Sequence, residues 1–110
     1  MTITTETIEP GIAVLNGGDR LTASSAPELR AAVCRAIDAG NLRIVVELSK
    51  VKVMDSSGLG ALVCALKIAR QAGGDLRLAS PSEQVAMVLE LSNLNRMLAS
   101  FDSAAAAYRE

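Results

Sequence analysis

The chain has no histidine and no tryptophan, and only one tyrosine, one phenylalanine and two cysteines in 110 residues. Without histidine, no Ser-His-Asp or Cys-His arrangement can form within it, so hydrolysis through an activated nucleophile is not expected and only a lysine-activated serine stays open. The scarcity of aromatic rings removes the platforms on which bases stack. Eleven Lys and Arg against twelve Asp and Glu leave a formal charge of −1, and no window gathers enough basic residues to follow a phosphate backbone. Nucleic acid is not expected as a partner.

Other absences narrow the chemistry further. Cys34 and Cys64 lie far apart on helical patterns with no histidine to join them, so they are expected to be reduced, structural thiols rather than metal ligands. Asp19, Asp55 and Asp75 are scattered carboxylates, and neither a metal nor a cofactor is expected. The glycines of Gly58-Leu59-Gly60 lack the spacing of a dinucleotide fingerprint, and no GxxxxGK[ST] phosphate loop occurs. MTITTETIEP has no basic start followed by an apolar stretch, and no segment is apolar for long enough to cross a bilayer. A soluble cytoplasmic protein without membrane insertion is the expectation, and it is not expected to be an enzyme.

What is present is aliphatic. Half the residues are apolar, which supplies one core of Leu, Val, Ile, Ala and Met and one domain spanning residues 1–110. Ile3 to Ile8 suits an edge strand, Pro10-Gly11 a turn, and Ile12 to Leu15 a short apolar strand. Asn16-Gly17-Gly18-Asp19 then reads as a loop. Ser25 and Glu28 have capping-box spacing ahead of Leu29, Ala32, Val33, Ala36 and Ile37, predicting a helix to about Ala39 that Gly40 ends. The run from Leu42 to Leu48 reads as a central strand covered on both faces.

A short extended piece from Val51 to Met54 leads to a second helix with Leu59, Leu62, Val63, Leu66 and Ala69 on one stripe, stopped by Gly73-Gly74. Asp75 to Ala79 reads as a strand, Ser80-Pro81-Ser82-Glu83 as a helix start with the proline in first position, and Val85, Val88 and Leu89 as that helix's buried side. Asn93 is placed to stop it in the left-handed region. Met97 to Phe101 could add a last strand, and Asp102 caps a marginal helix over SAAAAYRE. The sum is an α/β domain, a mixed sheet of about four to five strands with about four helices packed on it.

The stretch VMDSSGLGAL carries the most information. Asp55 ends a strand, and Ser56 and Ser57 fall at a helix start beside unpaired backbone N–H groups that favour an anion. A hydroxyl there can simply cap the helix, at about 1 kcal/mol. Gly58 and Gly60 are harder to explain, since each costs up to about 1 kcal/mol against alanine in a helix. They serve either close packing or the approach of a partner to uncovered hydroxyls. With the leucine stripe turned inward, Gly60, Ala61, Cys64 and Ile68 fall outward beside Lys67 and Gln71, a smooth surface that suits protein contact.

IVVELSKVKVMDSSGLGALVCALKIARQAGGDLRLASPSEQVAMVLELSNLNRMLASF, together with RLTASSAPELRAAV, resembles the STAS domain, specifically the stand-alone anti-sigma factor antagonists of bacteria, from about Ile12 onward. The resemblance implies phosphorylation at the serine directly after the aspartate, which is Ser56 here. It implies as partner an anti-sigma factor with serine kinase activity, which the unphosphorylated chain binds so that a sigma factor is freed, and a metal-dependent serine phosphatase that reverses the modification. Asp55, Ser56, Ser57, Gly58, Gly60, Ala61, Cys64, Ile68 and Thr22 are the expected contact residues, with Thr22 standing where the family commonly has aspartate. Two alternatives use the same fold: a non-switching scaffold subunit of a lipid-transport or signalling complex, and a small-molecule or nucleotide sensor built on the loop from Asn16 to Thr22.

Overall fold

The computed structural model describes residues 4–108. Its main sheet has five strands, β1 (Thr4–Glu9), β2 (Ile12–Asn16), β4 (Arg43–Glu47), β6 (Asp75–Ala79) and β7 (Ser100–Phe101), in the spatial order β1-β2-β4-β6-β7. β1 runs antiparallel to β2 and every other neighbour pair is parallel. A second sheet pairs two short strands, β3 (Arg20–Leu21) and β5 (Val53–Met54). The helices are α1 (Ala26–Asp38), α2 (Ser56–Gln71) and α3 (Glu83–Leu91), followed by a 3₁₀ turn at Leu94–Arg96. The mixed α/β class is as expected. Ile3, read as the start of the first strand, lies outside the described residues.

Parallel strands need crossovers, and the three helices supply them between β2 and β4, β4 and β6, and β6 and β7. Ala13, Leu15, Ile44, Val46, Leu76 and Leu78 point from the sheet into the helix layer, where they meet Leu29, Val33, Leu62, Leu66 and Leu89. Burying each such leucine stabilises the fold by about 2 kcal/mol. β4 is central and covered on both faces, because Val45 points away from the helices into a smaller cluster with Ile12, Val14, Ala79 and Ala107.

The C-terminal segment forms that second cover, and it corrects one expectation. In place of a helix from Asp102, the described residues to Tyr108 form turns, with Ala106 N–H donating to the Ser103 carbonyl (3.2 Å) and Ala107 N–H to the Ala104 carbonyl (3.3 Å). Eight residues are too few to nucleate a helix unaided, and contacts with the sheet dictate another path. Tyr108 Oη donates to the Ile44 carbonyl (2.9 Å), and Arg77 Nη1 donates to the Ala107 carbonyl (2.7 Å) with its guanidinium 4.4 Å from the Tyr108 ring centre. Burial, with Asp75 nearby, pushes the Tyr108 hydroxyl up to about 12.

Two helix starts also differ from the sequence reading. Ser25 sits before α1 with helical backbone angles, and its side chain makes no capping bond to the helix. Its buried hydroxyl instead donates to the Arg20 carbonyl (3.1 Å) and accepts from Thr22 N–H (3.3 Å), closing the preceding loop on itself. α3 begins at Glu83, not at Pro81: Ser80 takes a positive φ of 53°, the chain turns sharply out of β6, and Ser82 becomes the cap by accepting from Val85 N–H (3.3 Å). Asn93 ends α3 in the left-handed region, as expected, at φ 62°.

Candidate functional site

The start of α2 is held by a small sheet of which the sequence reading gave one strand, the extended piece from Val51 to Met54, but not the other. A two-residue strand such as β3 has no periodicity to detect, yet it pairs in parallel with β5, Arg20 with Val53 and Leu21 with Met54. Lys52 N–H donates to the Asp19 carbonyl (2.8 Å), and Asp55 N–H donates to the Leu21 carbonyl (3.3 Å). The chain is thus fixed on both sides of the point where strand becomes helix.

Asp55, in extended conformation, is the cap of α2: its Oδ1 accepts from Gly58 N–H at 2.8 Å, and its carbonyl accepts from Leu59 N–H at 3.0 Å. This corrects the reading in which a serine hydroxyl does the capping. A carboxylate at this position satisfies an otherwise unpaired N–H and faces the positive end of the helix. Ser56 and Ser57, the first two residues of α2, are exposed, and among the described residues their hydroxyls take part in no hydrogen bond.

The two glycines have different explanations. Gly58 is buried, and a Cβ built on it would overlap the carbonyl oxygen of Leu21. Its missing side chain lets the first turn of α2 rest on β3, so Gly58 serves packing and not an outward surface. Leu21 is therefore a residue the site depends on that sequence reasoning missed, because the contact is made by backbone and leaves no trace in side-chain type. Gly60 is the opposite case, exposed, with nothing within 4 Å of the position a Cβ would take.

The outward surface of α2 is narrower than expected. Gly60, Lys67 and Gln71 are exposed, and Cys64 and Ile68 are half-buried, with Ile68 leaning on the core. Ala61 is buried at 9% exposure, which corrects its placement on the outer face. The buried arc of α2 is wider than its leucine stripe because the helix packs against α1 as well as against β6, and Ala61 and Ala65 fall within that arc. Cys34 is exposed on α1, so it is not a core thiol.

Thr22 is half-buried, and its hydroxyl lies 3.0 Å from that of Ser24. It directly follows Leu21, whose carbonyl receives Asp55 N–H, so the loop before α1 and the start of α2 are brought side by side. Thr22, Asp55, Ser56, Ser57 and Gly58 belong to one locality; Gly60, Cys64 and Ile68 extend from it along α2. The strands progress across the main sheet in one direction without reversal. The topological switch point that gives many α/β proteins a ready crevice is therefore missing from this sheet.

No helix among the described residues is long and apolar enough to cross a membrane. The sequence profile of the STAS domain matches residues 4–107. A Thermotoga maritima protein provisionally named an anti-sigma factor antagonist is 38% identical over 74 residues, which is 67% of this chain and 66% of that protein's length. The crystal structure of a T. maritima protein with the same provisional name superposes with a TM-score of 0.80 at 29% identity, covering 92% of this chain and 86% of the other. The structure of the Bacillus cell fate determinant SpoIIAA in its phosphorylated form has the same fold, with a TM-score of 0.71 at 22% identity over 96% of each chain. With the profile covering nearly the whole sequence and the sheet and helices agreeing, the chain belongs to the STAS domain family.

Proposed function

We propose that the protein is an anti-sigma factor antagonist: a cytoplasmic binding module that engages an anti-sigma factor with serine kinase activity, frees a sigma factor, and is switched off by phosphorylation of Ser56. The observation that carries the reading is the division of labour at the start of α2. Asp55 caps the helix, so the neighbouring Ser56 hydroxyl, exposed and without a hydrogen bond among the described residues, has no structural duty there. The names of the Thermotoga relatives and the existence of a phosphorylated form of a protein with this fold support it.

The kinase transfers the γ-phosphoryl group of ATP to Ser56 Oγ: the new O–P bond forms as the bond to the β-phosphate oxygen breaks, ADP leaves, and the serine proton passes to a base on the kinase. A metal-dependent serine phosphatase returns the hydroxyl by hydrolysis. The product carries roughly two added negative charges beside Asp55. On a surface meant to be covered by a partner, like-charge contact and desolvation can cost several kcal/mol, and each ~1.4 kcal/mol weakens binding about tenfold. The N-terminus of α2 meanwhile favours the phosphate locally, so the complex breaks while the domain stays folded.

Incubation of the chain with its kinase and ATP, followed by peptide mass spectrometry, is expected to place one phosphate on Ser56. Ser56→Ala should bind the kinase persistently, and Ser56→Asp should bind at least about tenfold more weakly. Wild-type affinity in Ser56→Asp would remove the switch. Thr22, standing where the resembling antagonists commonly carry aspartate, favours one second reading, a STAS scaffold that holds its partner without switching. That reading gives a stable complex and no phosphoserine.

A further inference from the structure

Residues 103–108 cross the face of the main sheet that points away from the helices, and they are fastened at two places. The root is Ser80, whose N–H donates to the Phe101 carbonyl (2.8 Å) and whose hydroxyl donates to the Asp102 carbonyl (3.0 Å). Beyond it the segment bonds to itself in short turns, and among the described residues every hydrogen bond from it to the rest of the domain runs through Arg77 or Tyr108. Arg77 Nη1 donates to the Ala107 carbonyl (2.7 Å), and Tyr108 Oη donates to the Ile44 carbonyl (2.9 Å) and accepts from Ile44 N–H (3.2 Å). Arg77 stands beside Val45 in the sheet register, with its guanidinium 4.4 Å from the Tyr108 ring centre and 5.7 Å from that of Phe101. Its Nε lies 3.4 Å from Asp75 Oδ2, a contact that aims the group.

Apolar burial holds this segment only lightly. Ala107 is its one fully buried side chain, and an alanine covers little apolar surface. No residue of the segment belongs to the core between the sheet and the helices. A piece with few buried contacts, tied by two side chains at its far end, opens at lower free energy than the domain unfolds. We infer that residues 103–108 are a strap that opens and closes as one unit while the rest of the domain stays folded, with Arg77 as its catch. Opening swings the strap about Ser80 and bares Ile12, Val14, Val45 and Ala79, an apolar strip now covered by Ala107 and its neighbours. Ser56 lies in the helix layer on the other side of the sheet, so the strap does not depend on the proposed phosphorylation.

Hydrogen exchange followed by NMR on the full chain tests it. Arg77→Leu and Tyr108→Phe should each speed exchange at Ala106 and Ala107 by about tenfold or more, while Val46 in β4 and Leu62 in α2 keep their wild-type rates. Tyr108 is the only tyrosine and there is no tryptophan, so tyrosinate absorbance gives a second readout of the same residue. Burial and then Asp75 push its hydroxyl from 10 up to about 12, against the Ile44 bond, Arg77 and Arg43, which pull it down. Removing the Arg77 charge beside a closed strap would raise that value further; an opened strap lets it fall back toward 10. Arg77→Leu is therefore expected to titrate below wild type. A titration above wild type overturns the proposal, because the strap has stayed shut without its catch. So does exchange that speeds equally at Ala107, Val46 and Leu62, which makes the strap part of one cooperative unit, and so does exchange at Ala106 and Ala107 indifferent to Tyr108→Phe.

Discussion

α1 and α2 are both entered through a serine pair, Ser24-Ser25 and Ser56-Ser57, and the two pairs are used in opposite ways. At α1 the second serine is fully buried and its hydroxyl is engaged twice, to the Arg20 carbonyl and by Thr22 N–H. The first serine lies 3.0 Å from the Thr22 hydroxyl. At α2 an aspartate precedes the pair and takes over the cap, and both hydroxyls face outward without partners among the described residues. The same residue type is thus a structural tie in one turn and available for chemistry in the other. What separates them is which neighbour satisfies the backbone, since a hydroxyl engaged by buried groups cannot be modified without breaking the fold.

Substitutions can break this contrast, and the largest effect is expected where α2 touches β3. Gly58→Ala places a Cβ on the Leu21 carbonyl and should destabilise the domain by about 3 kcal/mol, read as a fall in urea midpoint. Ser25→Ala comes next: it leaves the Arg20 carbonyl and Thr22 N–H without their partner, for a loss of about 1–3 kcal/mol in the same measurement. Asp55→Ala removes the α2 cap and should cost about 1 kcal/mol, with Asp55→Asn retaining most of it.

Gly60→Ala should act in the other direction, raising stability by up to about 1 kcal/mol because the new methyl enters open space in a helix interior. If the outer face of α2 meets a partner, the same variant binds more weakly in calorimetry although it melts higher. Ser56→Ala should be the smallest of all, within about 0.5 kcal/mol of wild type, because its hydroxyl supports nothing in the fold. A loss comparable to that of Ser25→Ala would erase the distinction between the two turns.

Long elements were legible in the sequence, and of the short ones the extended piece ending at Met54 and the last strand ending at Phe101 were anticipated whereas β3 was not. α1 and α2 carry periodic leucine, valine and alanine over 13 and 16 residues, β4 and β6 are dense in aliphatic side chains, and Asn93 behaves as its tolerance of positive φ requires. β3 has two residues, too few for any pattern, and what the sequence left out was its pairing with the extended piece that becomes β5. The C-terminal alanines favour a helix locally, but Arg77 and Tyr108 hold them in turns over the back of the sheet. At the site, Asp55, Ser56, Ser57 and Gly58 could be picked out by type and spacing, and the choice of Ser56 over Ser57 followed from the family resemblance. The inward turn of Ala61 depended on how α2 rolls against α1.

The sequence alone therefore determined the class of fold and the placement of an acid, two hydroxyls and a glycine at a helix start. Those follow from composition and from periods of two and 3.6 residues, which are properties of the local backbone. Only the tertiary structure decided which oxygen caps α2, which glycine is needed for close approach, and which serine hydroxyl is left facing outward. Each of these turns on the Leu21 carbonyl lying against the first turn of α2, a contact between segments more than thirty residues apart that no local preference encodes.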